Sequence, residues 1–185
     1  MKVIGFSVLH GIISERTFQV SGKEDTMTDL EFESTVKRYI RMLYRIAFNY
    51  LKNNEDSEDA VQNAFIRLYH CRKDFKSEEY LMAWLIRVTI NESKRIVSHT
   101  IKHSAINIET VANELYADES EQRDFSMELM RLNPTYSTVL YLYYYEGYTA
   151  KEIAKMLSKT TAAVNLILSR ARKQLKERLK EDNDA

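Results

Sequence analysis

The chain has 185 residues, 44% of them hydrophobic and 29% charged, and its 27 basic side chains balance 27 acidic ones. That length allows one or two domains, and four Gly with one Pro are too few for the turns a sheet fold needs, which points to an all-α chain. The single cysteine, Cys71, excludes a disulfide framework and a thiolate-built zinc site, and no apolar run approaches the ~18 residues of a transmembrane span.

The opening stretch, MKVIGFSVLHGIISERTFQVSGKEDT, has no helical period and could at best form a short hairpin. It also lacks the long apolar core and small-residue cleavage site of a signal peptide, so a cytoplasmic protein is expected. Met27 opens MTDLEFES, a second plausible start. The residues Gly22-Lys23-Glu24-Asp25-Thr26 can be encoded by GGA-AAG-GAG-GAT-ACN, a purine-rich string resembling a ribosome-binding sequence just ahead of the Met27 codon. Residues 1–28 are therefore expected to be a non-functional or disordered leader, the alternative being a genuine but disordered extension.

From Phe32 to Leu51, Val36, Ile40, Leu43, Ile46, Ala47 and Tyr50 recur at helical spacing. Asn53–Asn54 stops that helix, and EDSED supplies carboxylates to the first turn of the next, where the helix dipole favours them. A second helix, about Glu58–Cys71, collects Ala60, Val61, Ala64, Phe65 and Leu68 on one face, and a third runs from about Tyr80 to Ser98. These three form a bundle over residues 29–103. Residues 104–121 are acidic and polar and read as a linker.

A second bundle spans residues 122–182. One helix ends at Asn133–Pro134, because proline disfavours helix in the residue before it. The next covers about Tyr136–Tyr145, with Gly147 as its stop. Thr149 and Glu152 make a capping box for AKEIAKML, and SKTT separates that short helix from the long basic AAVNLILSRARKQLKERLK. Short helix, brief turn and longer basic helix form a helix-turn-helix pattern.

Charge is distributed unevenly over this layout. Residues 33–103 carry thirteen basic and nine acidic groups, residues 104–130 one and seven, and residues 131–180 ten and three. Two basic blocks flanking an acidic connector suit a polyanion partner.

The blocks DSEDAVQNAFIRLY (56–69), AWLIRVTINESKR (83–95) and GYTAKEIAKML followed by VNLILSRARKQLKERL, in that order, resemble the extracytoplasmic-function sigma factors of bacterial RNA polymerase. The likeness runs from about Glu31 to Lys180, without the extra central domain of larger sigma factors. It implies two all-α bundles joined by a linker, no cofactor and no metal, with core RNA polymerase, promoter DNA and an anti-sigma factor as partners and no membrane insertion. The first bundle would bind the polymerase clamp and open the −10 element; the second would dock on the −35 element.

Three sets of residues carry these roles. Asp56, Glu58 and Asp59 crowd the start of the second helix, where capping explains some of them; the resemblance assigns Asp59, Gln62 and Phe65 to the polymerase contact, although core packing accounts for Phe65 equally well. On the third helix Trp84, Arg87, Asn91 and Lys94 keep a broadly common side at ~100° per residue. An aromatic ring with cations suits opened strands, the ring stacking on bases while the cations take phosphates. Core burial is the competing account of Trp84, and a solvated face that of Arg87, Lys94 and Arg95. Arg72, Lys73 and Lys76 in the preceding loop would border the base pocket, and Arg95 stands where the family places an acid.

On the last helix Val164, Leu168, Ala171 and Leu175 form the core seam, which leaves Asn165, Leu166, Ser169, Arg170 and Lys173 outward. Asparagine reads adenine and leucine touches a thymine methyl. The basic run from Arg170 to Lys180 would grip phosphates, which position without specifying.

No phosphate-binding glycine loop or catalytic constellation is present, so the expected role is not enzymatic. His99 and His103 lack a third metal ligand nearby, and His70 and Cys71 are adjacent and diverge on a helix. The tyrosines at 141, 143, 144, 145 and 148 read as packing. Two alternatives stay open on sequence alone: a stand-alone helix-turn-helix regulator, which the clamp-like first bundle disfavours, and a helical protein-binding adaptor, which the chemically thin recognition helix supports. Mass spectrometry of the protein isolated from its cells checks the leader: the first residue is expected at Met27, and a peptide spanning residues 16–30 would make the leader part of the mature chain.

Overall fold

The structure, a computed structural model, describes residues 27–71, 75–100 and 128–183. The leader up to residue 26, the linker at 104–121, the loop residues Arg72 and Lys73, and His103 lie outside the described residues. All regular structure among the described residues is helical.

The first bundle contains α1 (Asp29–Leu51), α2 (Asn54–Tyr69) and α3 (Glu78–Thr100). Helix α1 starts earlier than the apolar period alone indicates because Thr28 and Glu31 form a capping box. The Glu31 backbone N–H donates to Thr28 Oγ1, and the Thr28 N–H donates to the Glu31 carboxylate at 2.8 Å. Helix α2 also begins early. Asn53 does not end a helix here; its side chain accepts from the Asp56 N–H at 2.8 Å, so it caps the next one. The acidic EDSED run then lies inside the first two turns of α2.

Phe32, Leu43, Ile46 and Ala47 of α1, Ala60, Val61, Ala64 and Leu68 of α2, and Leu85 and Ile86 of α3 are buried together. Each fully buried leucine or isoleucine contributes about 1.5–3 kcal/mol relative to exposure. A polar contact fixes where α3 starts: the Tyr39 hydroxyl donates to Glu78 Oε1 at 2.7 Å, and Arg38 pairs with the same carboxylate. Burial, then the bond to Glu78, pushes the Tyr39 phenol up to about 12, while the bonds from Tyr39 and Arg38 hold Glu78 below its usual range.

The second bundle contains α4 (Pro134–Tyr144), α5 (Ala150–Met156) and α6 (Thr161–Asn183), preceded by a helical turn at 128–131. Proline occupies the first turn of α4 with Asn133 as its cap, so the helix begins two residues before the expected Tyr136. After α4, Gly147 takes φ +74°, the left-handed backbone that only glycine adopts freely, and the chain turns into the Thr149–Glu152 capping box of α5. Val164, Leu168, Ala171 and Leu175 of α6 are buried as a seam against Val139, Leu142 and Ile153.

The two bundles are in contact. Helix α1 lies against α4 and α3 against α5, and the buried apolar residues of both join in one cluster. The Tyr148 hydroxyl is 2.9 Å from Met82 Sδ, and the Arg45 guanidinium sits 5.6 Å from the Tyr141 ring centre.

Lys52, the left-handed cap of α1 (φ 58°), encloses its Nζ without a hydrogen-bond partner among the described residues. Burial pushes its ammonium down to about 8 from an unfolded value of 10.5. Between those values the unfolded chain holds a proton that the native chain has released, so Lys52 makes stability rise with pH across that window. Above about 10 the buried tyrosines act the opposite way, since the unfolded phenols ionise first. Urea denaturation at pH 7.5 and 9.5 checks this. The wild-type midpoint is expected to rise between the two pH values by more than that of Lys52→Met, and the variant to be the more stable protein at pH 7.5.

Candidate nucleic-acid interface

At the start of α2 the structure divides the predicted contact residues. Asp56 is engaged in capping, with its carboxylate accepting from Asn53 Nδ2 at 2.8 Å. Asp59 is exposed and Gln62 is half-exposed one turn later, so both remain accessible. Phe65 does not. It is 4% exposed and meets Phe32 edge-to-face at 6.4 Å between ring centres. Its assignment to a polymerase contact is corrected here, because the ring closes the core between α1 and α2 and leaves no face for a partner.

Helix α3 carries the second set. Trp84 is half-buried, its ring meeting Phe75 edge-on at 5.5 Å, so it is braced from the loop side and is not a free stacking platform. Asn91 and Lys94 are exposed, with Lys94 Nζ 5.9 Å from the Tyr50 ring centre. Lys76 lies exposed in the loop ahead of the helix.

Arg87 points across to the other bundle. Its Nη1 donates to Ser158 Oγ at 3.2 Å and to the Lys155 carbonyl at 3.5 Å. Both acceptors border the turn between α5 and α6, where Ser158 adopts φ 53°. A guanidinium at the carbonyl end of α5 also complements the helix dipole.

Arg95 has a partner three residues back on its own helix. Its Nε donates to Glu92 Oε2 at 2.9 Å, and Arg67 of α2 pairs with the other carboxylate oxygen. Glu92 is buried, only 2% exposed, so the two cations offset the cost of removing its charge from water. Arg67 thus ties α2 to α3 through Glu92, while Arg95 braces the same carboxylate from within α3 and keeps about half of its side chain exposed. Sequence reasoning missed Arg67 and Glu92 altogether; the available signal was a carboxylate between apolar neighbours, Ile90 and Ile96, three positions before Arg95.

The third set lies on α6, where Asn165, Leu166, Ser169, Arg170 and Lys173 are all exposed. Leu166 is 51% exposed, an apolar side chain the core does not use. Lys173 has a loose partner in Glu177 at 3.9 Å, a surface pair of small worth. Thr160 caps the helix by accepting the Ala163 N–H at 3.1 Å, so the turn between α5 and α6 is tighter than four free residues. Among the described residues no group of three His, Cys, Asp or Glu is placed to hold a metal ion, and no helix is long and apolar enough to cross a membrane.

The Sigma-70 region 2 family matches residues 35–100 and the Sigma-70, region 4 family matches residues 122–175, in the order and places of the two bundles. Curated relatives agree. RNA polymerase sigma factor SigV of Bacillus subtilis (strain 168) is 26% identical over 142 residues, covering 75% of this chain and 86% of the relative. ECF RNA polymerase sigma factor SigW of the same organism is 26% identical over 188 residues, covering 92% of this chain and 98% of the relative. The chain is an extracytoplasmic-function sigma factor. Its function is to direct RNA polymerase in transcription initiation, through binding core polymerase and promoter DNA.

In fold, the sigma factor is also similar to CnrH in its complex with the cytosolic domain of CnrY, with a TM-score of 0.63 and 24% identity over 84% of this chain and 91% of that one. Both basic blocks seen in the sequence therefore belong to sigma regions, yet part of their charge is internal. Arg67, Arg95, Arg131 and Arg178 serve two buried carboxylates, Glu92 and Glu128. A double-mutant cycle with Arg67→Ala and Glu92→Gln measures this directly. The two changes are expected to be non-additive by about 0.5–3 kcal/mol in denaturant unfolding.

Proposed function

We propose that this sigma factor uses Asp59 and Gln62 to meet core polymerase, α3 to engage the −10 element, and the exposed face of α6 to read the −35 element. On α3, Arg87 and Lys94 take phosphates and Asn91 meets an extruded base beside Trp84, with Lys76 and the loop residues Arg72 and Lys73 bordering that pocket. On α6, Asn165, Leu166 and Ser169 face base edges while Arg170 and Lys173 grip the backbone. The observation that carries the −35 reading is the exposure of all five α6 side chains opposite a fully buried seam. The chemistry of RNA synthesis belongs to the polymerase; this chain supplies specificity, in the cytoplasm, without a cofactor.

Reading both elements at once demands that the bundles separate. Elements about 25 base pairs apart lie ~85 Å apart along the duplex. Here Met82 and Tyr148 touch, and Arg87 is held by the turn of the helix-turn-helix. Residues 101–127 have an extended reach of about 90 Å, enough to let the bundles part. Their acidic excess would keep that stretch off duplex phosphates. The contact between bundles thus covers Arg87 until core polymerase and promoter draw them apart. The fold shared with CnrH bound to the cytosolic domain of CnrY supports a protein partner of the anti-sigma kind.

Run-off transcription with purified core polymerase and fragmented DNA of the source genome tests the reading. Discrete transcripts are expected only when the protein is added. Arg170→Ala with Lys173→Ala should abolish them while leaving core binding intact, and loss of core binding in the unaltered protein would refute the assignment. In a Cys71→Ser background, a short bis-maleimide bridge between Met82→Cys and Tyr148→Cys is expected to silence transcription. Full activity of the bridged protein would show that the bundles need not separate.

A further inference from the structure

Three tyrosines in a row, Tyr143, Tyr144 and Tyr145, end α4, and the last two are exposed. Tyr144 is 56% exposed, a large ring that the core does not need. Its neighbour in space is Arg172 of α6. The Arg172 Nε donates to the Tyr144 hydroxyl at 2.8 Å, and its guanidinium carbon lies 5.4 Å from the Tyr143 ring centre and 5.6 Å from that of Tyr144. The two rings meet edge-to-face at 5.0 Å, so they form a corner against which the guanidinium rests.

We infer that Arg172 is a further DNA-contacting residue, gripping a phosphate at the wall of the groove that α6 enters, and that Tyr144 is the residue that positions it. The inference rests on the reading of α6 as the −35 helix. Asn165 and Arg172 are seven residues apart, about 20° apart around the helix and ~10.5 Å apart along it. A recognition helix reads bases with its N-terminal residues and meets the backbone further along. The major groove is about 12 Å wide, so a step of that length from a base-reading Asn165 reaches the phosphates.

The charge state of the neighbourhood agrees. Arg131 and Arg178 pair with Glu128, and Lys173 lies near Glu177, but no ion pair holds Arg172 among the described residues. Its bond to Tyr144 uses one of five N–H donors and leaves those on the two terminal nitrogens, the pair that binds a phosphate bidentately. An unbraced arginine loses rotamer freedom on binding. One already held by a hydroxyl and two rings loses less, and that difference appears as affinity.

The test uses holoenzyme made from the full chain, on the promoter recovered from the run-off experiment, with affinity measured across a potassium chloride series. Arg172→Ala is expected to weaken promoter binding about tenfold or more and to reduce the slope of log K against log salt by about 1. Tyr144→Phe keeps the ring and removes the hydroxyl. It should weaken binding about three- to tenfold with the slope unchanged, a combination that loss of a phosphate contact does not produce. Should Arg172→Ala fail to fold, Arg172→Lys serves: the charge stays, the Nε bond goes, and binding should fall several-fold at constant slope. Unchanged affinity and slope in folded Arg172→Ala, with binding still weakened by Arg170→Ala and Lys173→Ala, would overturn the inference and leave the −35 reading standing. Unchanged affinity in that double variant as well would overturn the −35 reading itself.

Discussion

Helix α3 has to satisfy three neighbours at once, and the rest of the molecule is arranged around that requirement. Leu85, Ile86 and Ile90 bury one side in the first bundle. Glu92 reaches α2 through Arg67, and Glu78 fastens the helix start to α1 through Tyr39 and Arg38. The third side holds Met82 and Arg87, and there the second bundle is seated. The first two sides are held within one bundle, and the third joins α3 to the other. In the proposed open state Arg87 would exchange its protein turn for a phosphate.

Charge in this protein performs two jobs that composition cannot separate. Glu92 and Glu128 are each buried and each served by two arginines, an arrangement that ties helices from different parts of the sequence together. The arginines stay partly exposed, which lowers the cost of enclosing the carboxylates. What the proposed reading leaves for nucleic acid is narrower than the basic blocks suggest: Lys76, Arg87, Asn91 and Lys94 on the first bundle, and Asn165, Leu166, Ser169, Arg170, Arg172 and Lys173 on the second. The aromatic corner of Tyr143 and Tyr144 belongs to the same economy, since it holds a cation without neutralising it.

Much of the fold was legible because helical period and capping are local. Val36, Leu43, Ile46 and Ala47, the five apolar residues of α2, and the seam Val164, Leu168, Ala171 and Leu175 all face inward as their spacing requires. The Thr149–Glu152 box was visible as a pattern of residues. The equivalent Thr28–Glu31 pair lies ahead of the apolar period, and Asn53 suits a helix stop as well as a cap, so the starts of α1 and α2 were placed late. In the candidate site, the exposure of the five α6 residues follows from the seam alone. Phe65 shows the limit. Its spacing put it on the apolar face, while the family pattern put it on the contact surface; only the packing of Phe32 against it decides between them.

The sequence by itself determined the six helices labelled α1 to α6, two basic modules, the helix-turn-helix and the family, since all of these rest on interactions between residues a few positions apart or on motifs in order. The tertiary structure decided which charges are spent. Arg67 and Arg95 meet over Glu92, Arg87 meets Ser158, and Arg172 meets Tyr144, across separations of up to 71 residues. A guanidinium looks the same in a sequence whether it ends in water, on a buried carboxylate or on a hydroxyl. Its partner is set by how the helices are brought together, and that depends on the summed burial of many side chains, with no local signal to report it.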